Sequence, residues 1–154
     1  MATDRKKAGK SFYWILFALY ITFLLYVLFF SDLFGRTVQT EEYRYNLKLF
    51  REIKNFYRAL RNGNGFYLFW LNVLGNVAVF IPFGCLTPVL MKNRHKLILT
   101  IELGFLFSVS VETLQLFTRV GVFDVDDIFL NTVGTIIGCL IWLINSKLKA
   151  RRNE

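Results

Sequence analysis

Four long apolar blocks dominate this chain and leave it little choice of fold. Phe12 to Phe30 and Phe66 to Leu90 carry no charge; Leu97 to Phe117 is interrupted by Glu102 and Glu112; Ile128 to Ser146 is uncharged but holds Asn131 and Asn145. Each is long enough to cross a bilayer, which takes roughly 20 residues. A soluble core could not absorb that much apolar length in 154 residues. The expected fold is all-α and polytopic: four transmembrane helices in a single membrane domain over residues 1–146, then a basic cytoplasmic tail at 147–154. Arg5, Lys6, Lys7 and Lys10 precede the first block as in a signal peptide. The run is too long for that, and no small-residue cleavage site follows, so it reads as a retained signal anchor.

Charge density gives an expected orientation. With both termini inside, eleven Lys and Arg lie in the two tails and the Lys92–Lys96 loop, against eight on the other side. Seven of those eight fall in the long loop Ser31 to Gly65, where Leu49, Phe50, Ile53, Phe56, Tyr57 and Leu60 recur at helical spacing. Arg44, Lys48, Arg51, Asn55 and Arg58 fall on the opposite face. The pattern predicts an amphipathic helix in the first extracytoplasmic loop, started near Thr40-Glu41-Glu42 and ended by Asn62-Gly63-Asn64-Gly65. Either it lies in the headgroup layer or it packs on the bundle with its charges solvated.

The polar residues gather in the second half. Glu112, Gln115 and Arg119 share one helix face, and Asp124, Asp127, Asn131, Gly134 and Gly138 follow the same arithmetic on the next. In an antiparallel hairpin the two faces confront each other. Intramembrane ionisable groups are functional candidates. A neutral Glu112 beside an ionised Asp127 would form an acid/base pair, with Arg119 stabilising an oxyanion. The competing reading makes Glu112 a polar plug paired with Arg119. Seven residues of straight helix span roughly 10 Å, so that contact would need the helix to end or bend. Asn76, Gln115, Asp124 and Asn131 are the candidate binding residues, and Asn76 with Asn131 could hydrogen-bond between helices. Gly134 and Gly138 suit a packing seam. Pro82, followed by Gly84, should kink or break the second span.

No metal is expected: Cys85, Cys139 and His95 make no ligand set, and the acids Asp124, Asp126 and Asp127 read as a solvated loop cluster. No cofactor is implied. Cys85 and Cys139 read as small packed hydrophobes, and Glu102 as structural.

Taken in order, Asn76-x-x-x-Phe80-x-Pro82-x-Gly84, Ser108-x-x-x-Glu112-x-x-Gln115, Arg119, and Asp124-x-x-Asp127-Ile128-x-x-Asn131-x-x-Gly134-x-x-x-Gly138 resemble the VanZ-like family. In the first loop Asn46-Leu47-Lys48-Leu49-Phe50 keeps the family frame but has Leu49 where proline is common, which favours a continuous helix there. The resemblance implies a bacterial cytoplasmic-membrane protein of the cell envelope, in a family whose namesake is associated with teicoplanin resistance. Expected partners are membrane lipids or a lipid-linked envelope molecule, with a homo-oligomer left open and no nucleic acid. Three functions compete: a module that binds an envelope lipid or lipoglycopeptide, a membrane enzyme acting on a lipid-linked substrate through Glu112 and Asp127, and a transporter. The transporter is disfavoured because no polar stripe runs through the spans.

Overall fold

In a computed structural model, which describes residues 2–30, 43–63 and 66–152, the chain is a bundle of long helices. Helix α1 covers Ala2–Phe30, α2 Arg51–Arg61, α3 Phe66–Leu90, α4 Lys96–Thr118 and α5 Val125–Arg151. Two short strands, β1 (Tyr45–Asn46) and β2 (Phe123–Asp124), pair in parallel with Tyr45 opposite Phe123 and Asn46 opposite Asp124. Helices α1, α3, α4 and α5 are each long and apolar enough to cross a membrane. Phe12, Ile15, Leu19 and Phe23 on α1 are exposed. In water they would be a liability; facing lipid they are the ordinary outer surface of a span. The chain is a multi-pass membrane protein.

The bundle centres on the α3–α5 contact, which is made by backbone. A Cβ on Gly138 would lie 2.1 Å from the Ile81 carbonyl oxygen, and one on Gly134 2.2 Å from that of Val77. From the other side, a Cβ on Gly84 would lie 2.0 Å from the Thr135 carbonyl oxygen. Without a hydrophobic drive between helices in lipid, such close approach supplies the packing attraction. The Cys85 thiol donates to the Gly138 carbonyl at 3.3 Å across the same seam.

Helix α1 packs on α3 through side chains. Leu24, Leu28, Phe80, Phe83 and Val111 form the buried core, and Phe83 stacks on Phe107 with ring centroids 5.7 Å apart. Pro82 and Pro88 both lie inside α3, which runs as one helix from Phe66 to Leu90, so of the expected kink or break at Pro82 the break does not occur. Pro82 cannot donate to the preceding turn. In that turn the Val79 carbonyl accepts a hydrogen bond from the Tyr20 hydroxyl at 2.7 Å, tying α1 to the proline-weakened stretch.

The first loop departs from expectation. Thr40, Glu41 and Glu42 lie outside the described residues, and the helix begins only at Arg51. Arg44 precedes β1, and Lys48, Leu49 and Phe50 form the bend and turn between β1 and the helix. The Asn46-to-Phe50 frame is therefore not a continuous helix, although proline is absent. The Asn46 side chain accepts from the Lys48 N–H at 3.2 Å, an Asx turn that supplies locally what proline would otherwise fix. Within α2, Ile53, Phe56 and Leu60 are half-buried while Lys54, Arg58 and Arg61 are exposed.

The glycine seam yields a prediction. Gly138→Ala forces two backbones apart, whereas a Cβ on Gly121 meets only the Gln115 side chain, at 3.3 Å. Overpacking of this kind costs about 1–3 kcal/mol. Thermal unfolding in detergent should show a clear drop in midpoint for Gly138→Ala and a small one for Gly121→Ala.

Candidate functional site

The polar residues meet at the end of the bundle where α4 turns into α5. Helix α4 stops at Arg119, whose φ of 57° is left-handed and whose N–H returns to the Leu116 carbonyl. Two strand residues follow, and Asp124 caps α5 by accepting from the Asp126 N–H at 2.8 Å.

Three carboxylates then hold backbone that the helices leave without partners. Glu112, 1 % exposed, accepts from the Asp124 N–H at 3.0 Å, so α4 grips the entry to α5. Asp124 also accepts from the Asn46 side-chain amide at 3.0 Å, which pins the first loop to the hairpin beside the β1–β2 pairing. Asp126, also 1 % exposed, reaches into the first turn of α2, accepting from the Phe50 N–H, the Glu52 N–H at 2.8 Å and the Ile53 N–H at 3.3 Å. The α2 N-cap residue, Phe50, has no side chain that can cap. It sits at φ 62°, a left-handed conformation costing roughly 1–2 kcal/mol. The hydrogen bond to Asp126 and an edge contact with the Phe129 ring, 5.3 Å between centroids, hold it there. A carboxylate at a helix N-terminus also meets the positive end of the dipole.

Burial raises the Asp124 carboxyl above its ordinary value, against the lowering effect of the hydrogen bonds from Asp126 and Asn46. Asp124 and Asp126 are thus buried structural acceptors, not a solvated cluster. Among the described residues no group of His, Cys, Asp or Glu is arranged to hold a metal ion.

The remaining candidates lie one layer deeper. The Asn76 amide donates to Asp127, joining α3 to α5. The Asn131 amide donates to the Ser108 hydroxyl at 2.9 Å, joining α5 to α4. These two bonds stand in place of the expected Asn76–Asn131 contact: Asn76 is drawn to the Asp127 carboxylate, and Asn131 turns to α4. The Gln115 amide donates to the Leu28 carbonyl at 2.8 Å and ties α4 to α1. Asn76 Oδ1, Gln115 Oε1 and Asn131 Oδ1 are buried and accept no hydrogen bond among the described residues. Arg119 is exposed, its guanidinium 4.8 Å from the centre of the Tyr43 ring. Glu102 is exposed on α4. An apolar pocket of about 360 Å³ opens at the same end, lined by Leu49, Phe105, Val125, Ile128, Phe129 and Thr132.

Sequence reasoning brought Glu112, Gln115, Asp124, Asp127, Asn131 and Asn76 to this end but missed the part played by Asp126, and did not treat Asn46 or Ser108 as site residues. One signal was available for Asp126. The stretch Leu49-Phe50-Arg51 offers no capping side chain, so the helix after it had to borrow one.

These features define a class: a four-span helical membrane protein whose buried polar cluster lies at one end of the bundle. The chain belongs to the VanZ/LLP1 family, whose sequence model matches residues 17–146. Protein VanZ of Enterococcus faecium is 31% identical over 83 residues, 49% of this chain and 46% of that protein, so the chain matches about half the length of this curated relative. No solved structure matches.

Asp126→Ala should release the start of α2 without unfolding the bundle. Losing a helix cap costs up to about 2 kcal/mol, or roughly a thirtyfold loss of protection. Hydrogen–deuterium exchange at residues 51–55 should accelerate by about that factor, with α3 and α5 unchanged.

Proposed function

We propose that this chain binds an amphiphilic envelope molecule, a lipid-linked wall precursor, lipoteichoic-acid lipid or lipoglycopeptide, at the carboxylate-bearing end of the bundle. We further propose that this end faces outside, with both termini cytoplasmic, and that binding confers low-level teicoplanin resistance. The charge asymmetry supports the orientation: the Thr118–Asp127 loop carries only Arg119 as a base, while Lys92, Arg94 and Lys96 crowd the opposite turn.

One observation carries the preference for binding over catalysis. The acids proposed for acid/base work are tied up in architecture. Glu112 is 1 % exposed and holds the Asp124 N–H, and Asp127 holds the Asn76 amide. A general acid or base must reach the reacting proton. The most accessible groups are Arg119, the basic face of α2 and the apolar pocket beneath Leu49 and Phe129, with Asp127 half-buried. A cation beside an apolar recess suits an anionic headgroup carrying an acyl chain. α2, docked by Asp126 and polar on its exposed face, would lie in the headgroup layer.

Teicoplanin susceptibility of a sensitive Gram-positive host separates the two readings when membrane abundance is matched. Wild type should protect relative to empty vector, and Arg119→Gln should lose protection, with retention of purified wall lipid falling about tenfold for a lost charged contact. Glu112→Gln should still protect, because its carboxamide oxygen can accept from Asp124. Loss of protection in Glu112→Gln with Arg119→Gln intact would favour the enzyme. Equal susceptibility of wild type and vector would contradict the resistance role.

A further inference from the structure

The opposite end of the bundle has a feature that none of the polar-site chemistry uses. A groove of about 790 Å³ runs between α1 and α3, walled by Leu16, Leu19, Phe23, Ile81 and Pro82. It ends against a second, mixed cavity of about 290 Å³, bordered by Tyr13, Trp142, Asn145, Ser146 and Lys149. Cys85 and Leu86 line both, so the two adjoin. Together they form a slot with an apolar body and a polar, cationic foot.

The foot is equipped for an anion. Lys149 is exposed, and the side chains of Tyr13, Asn145 and Lys149 have no hydrogen-bond partner among the described residues. The Ser146 hydroxyl already donates to the Leu143 carbonyl at 2.8 Å, so it does not count as a free donor. A second cation stands at the rim, the Lys96 ammonium 4.2 Å above the Trp142 ring. Among the described residues no acidic one lines either cavity. From Tyr13 to Phe23 the α1 wall rises about 15 Å, which is half of a hydrocarbon core of roughly 30 Å and so the depth of one leaflet.

We propose that this slot binds one anionic phospholipid, its phosphate at Lys149 with Tyr13 and Asn145, and one acyl chain along the α1–α3 groove. Charge complementarity selects the headgroup, and the apolar groove adjoining the cationic foot selects a lipid over a free phosphate. The site is separate from the carboxylate end and does not depend on the function proposed for it. A bound chain would also fill the gap beside Tyr20, where α1 is fastened to α3 by the bond to Val79.

Native mass spectrometry of the full chain tests this, with phosphatidylglycerol, phosphatidylcholine of the same acyl chains, and inorganic phosphate as separate probes. Phosphatidylglycerol should be retained over phosphatidylcholine, and phosphate alone should neither bind nor displace it. Lys149→Gln, at an exposed position, should weaken phosphatidylglycerol retention about fivefold, the effect of one lysine at an anionic headgroup. Leu19→Trp, at the exposed lip of the groove, should weaken retention of both lipids with no change in melting midpoint. Equal retention of the two lipids, an undiminished preference in Lys149→Gln, or full displacement by phosphate would overturn the proposal.

Discussion

Backbone N–H groups with no partner are the constraint on which the loop end depends. Each helix starts with four donors that its own carbonyls cannot reach. In water they cost little; buried away from water each unmet one costs several kcal/mol. This chain meets them with carboxylates borrowed from other elements. Asp126 serves the start of α2, Asp124 the start of α5, and Glu112 the N–H of Asp124 itself. The same bonds set the architecture, because each carboxylate stands on a different element from at least one of its donors. Without them the first loop would keep only a two-residue strand pairing and the ring contacts Phe50–Phe129 and Tyr43–Arg119 to hold it to the hairpin among the described residues.

That arrangement explains why Glu112, which looks catalytic in the sequence, is buried in the structure. An acid accepting from backbone stays useful when ionised, since the donors and the helix dipole offset its desolvation. Asn76, Asn131 and Gln115 continue the pattern deeper, each joining a different pair of spans. The polar cluster is thus the clamp of the bundle at that end. What it leaves accessible, Arg119 above Tyr43 and the recess beneath Phe129, is where an envelope ligand would meet it.

Much of this was legible in the sequence, because a membrane restricts the possibilities. Span length identified the four long helices, and the i, i+3, i+4 spacing put Glu112 and Gln115 on one face and Asp127 and Asn131 on another. The family resemblance, carried by those same residues in order, agrees with the family match over residues 17–146. What was not legible came from contacts between distant segments. Nothing local to Asn46-Leu47-Lys48-Leu49-Phe50 says that it forms a strand with Phe123 and Asp124, since that pairing closes a loop of some eighty residues. The pairing partners of Asn76 and Asn131 depended on which side of α5 each amide faced. Pro82 suggested a kinked or broken helix, but a helix held by glycine contacts at Gly134 and Gly138 and by Tyr20 continues past the proline as one element.

The central claim is that the first loop is fastened to the α4–α5 hairpin by Asp124 and Asp126. Disulfide trapping tests it directly, in a background with Cys85 and Cys139 replaced. Tyr45→Cys with Phe123→Cys places thiols on strand partners, within the Cα separation of about 4.4–6.8 Å that a disulfide accepts. The account predicts rapid cross-linking under mild oxidant, slowed strongly when Asp124 and Asp126 are both changed to Ala. Cross-linking no faster than that of a Tyr57→Cys and Phe123→Cys pair, or unaffected by loss of the two carboxylates, would contradict it.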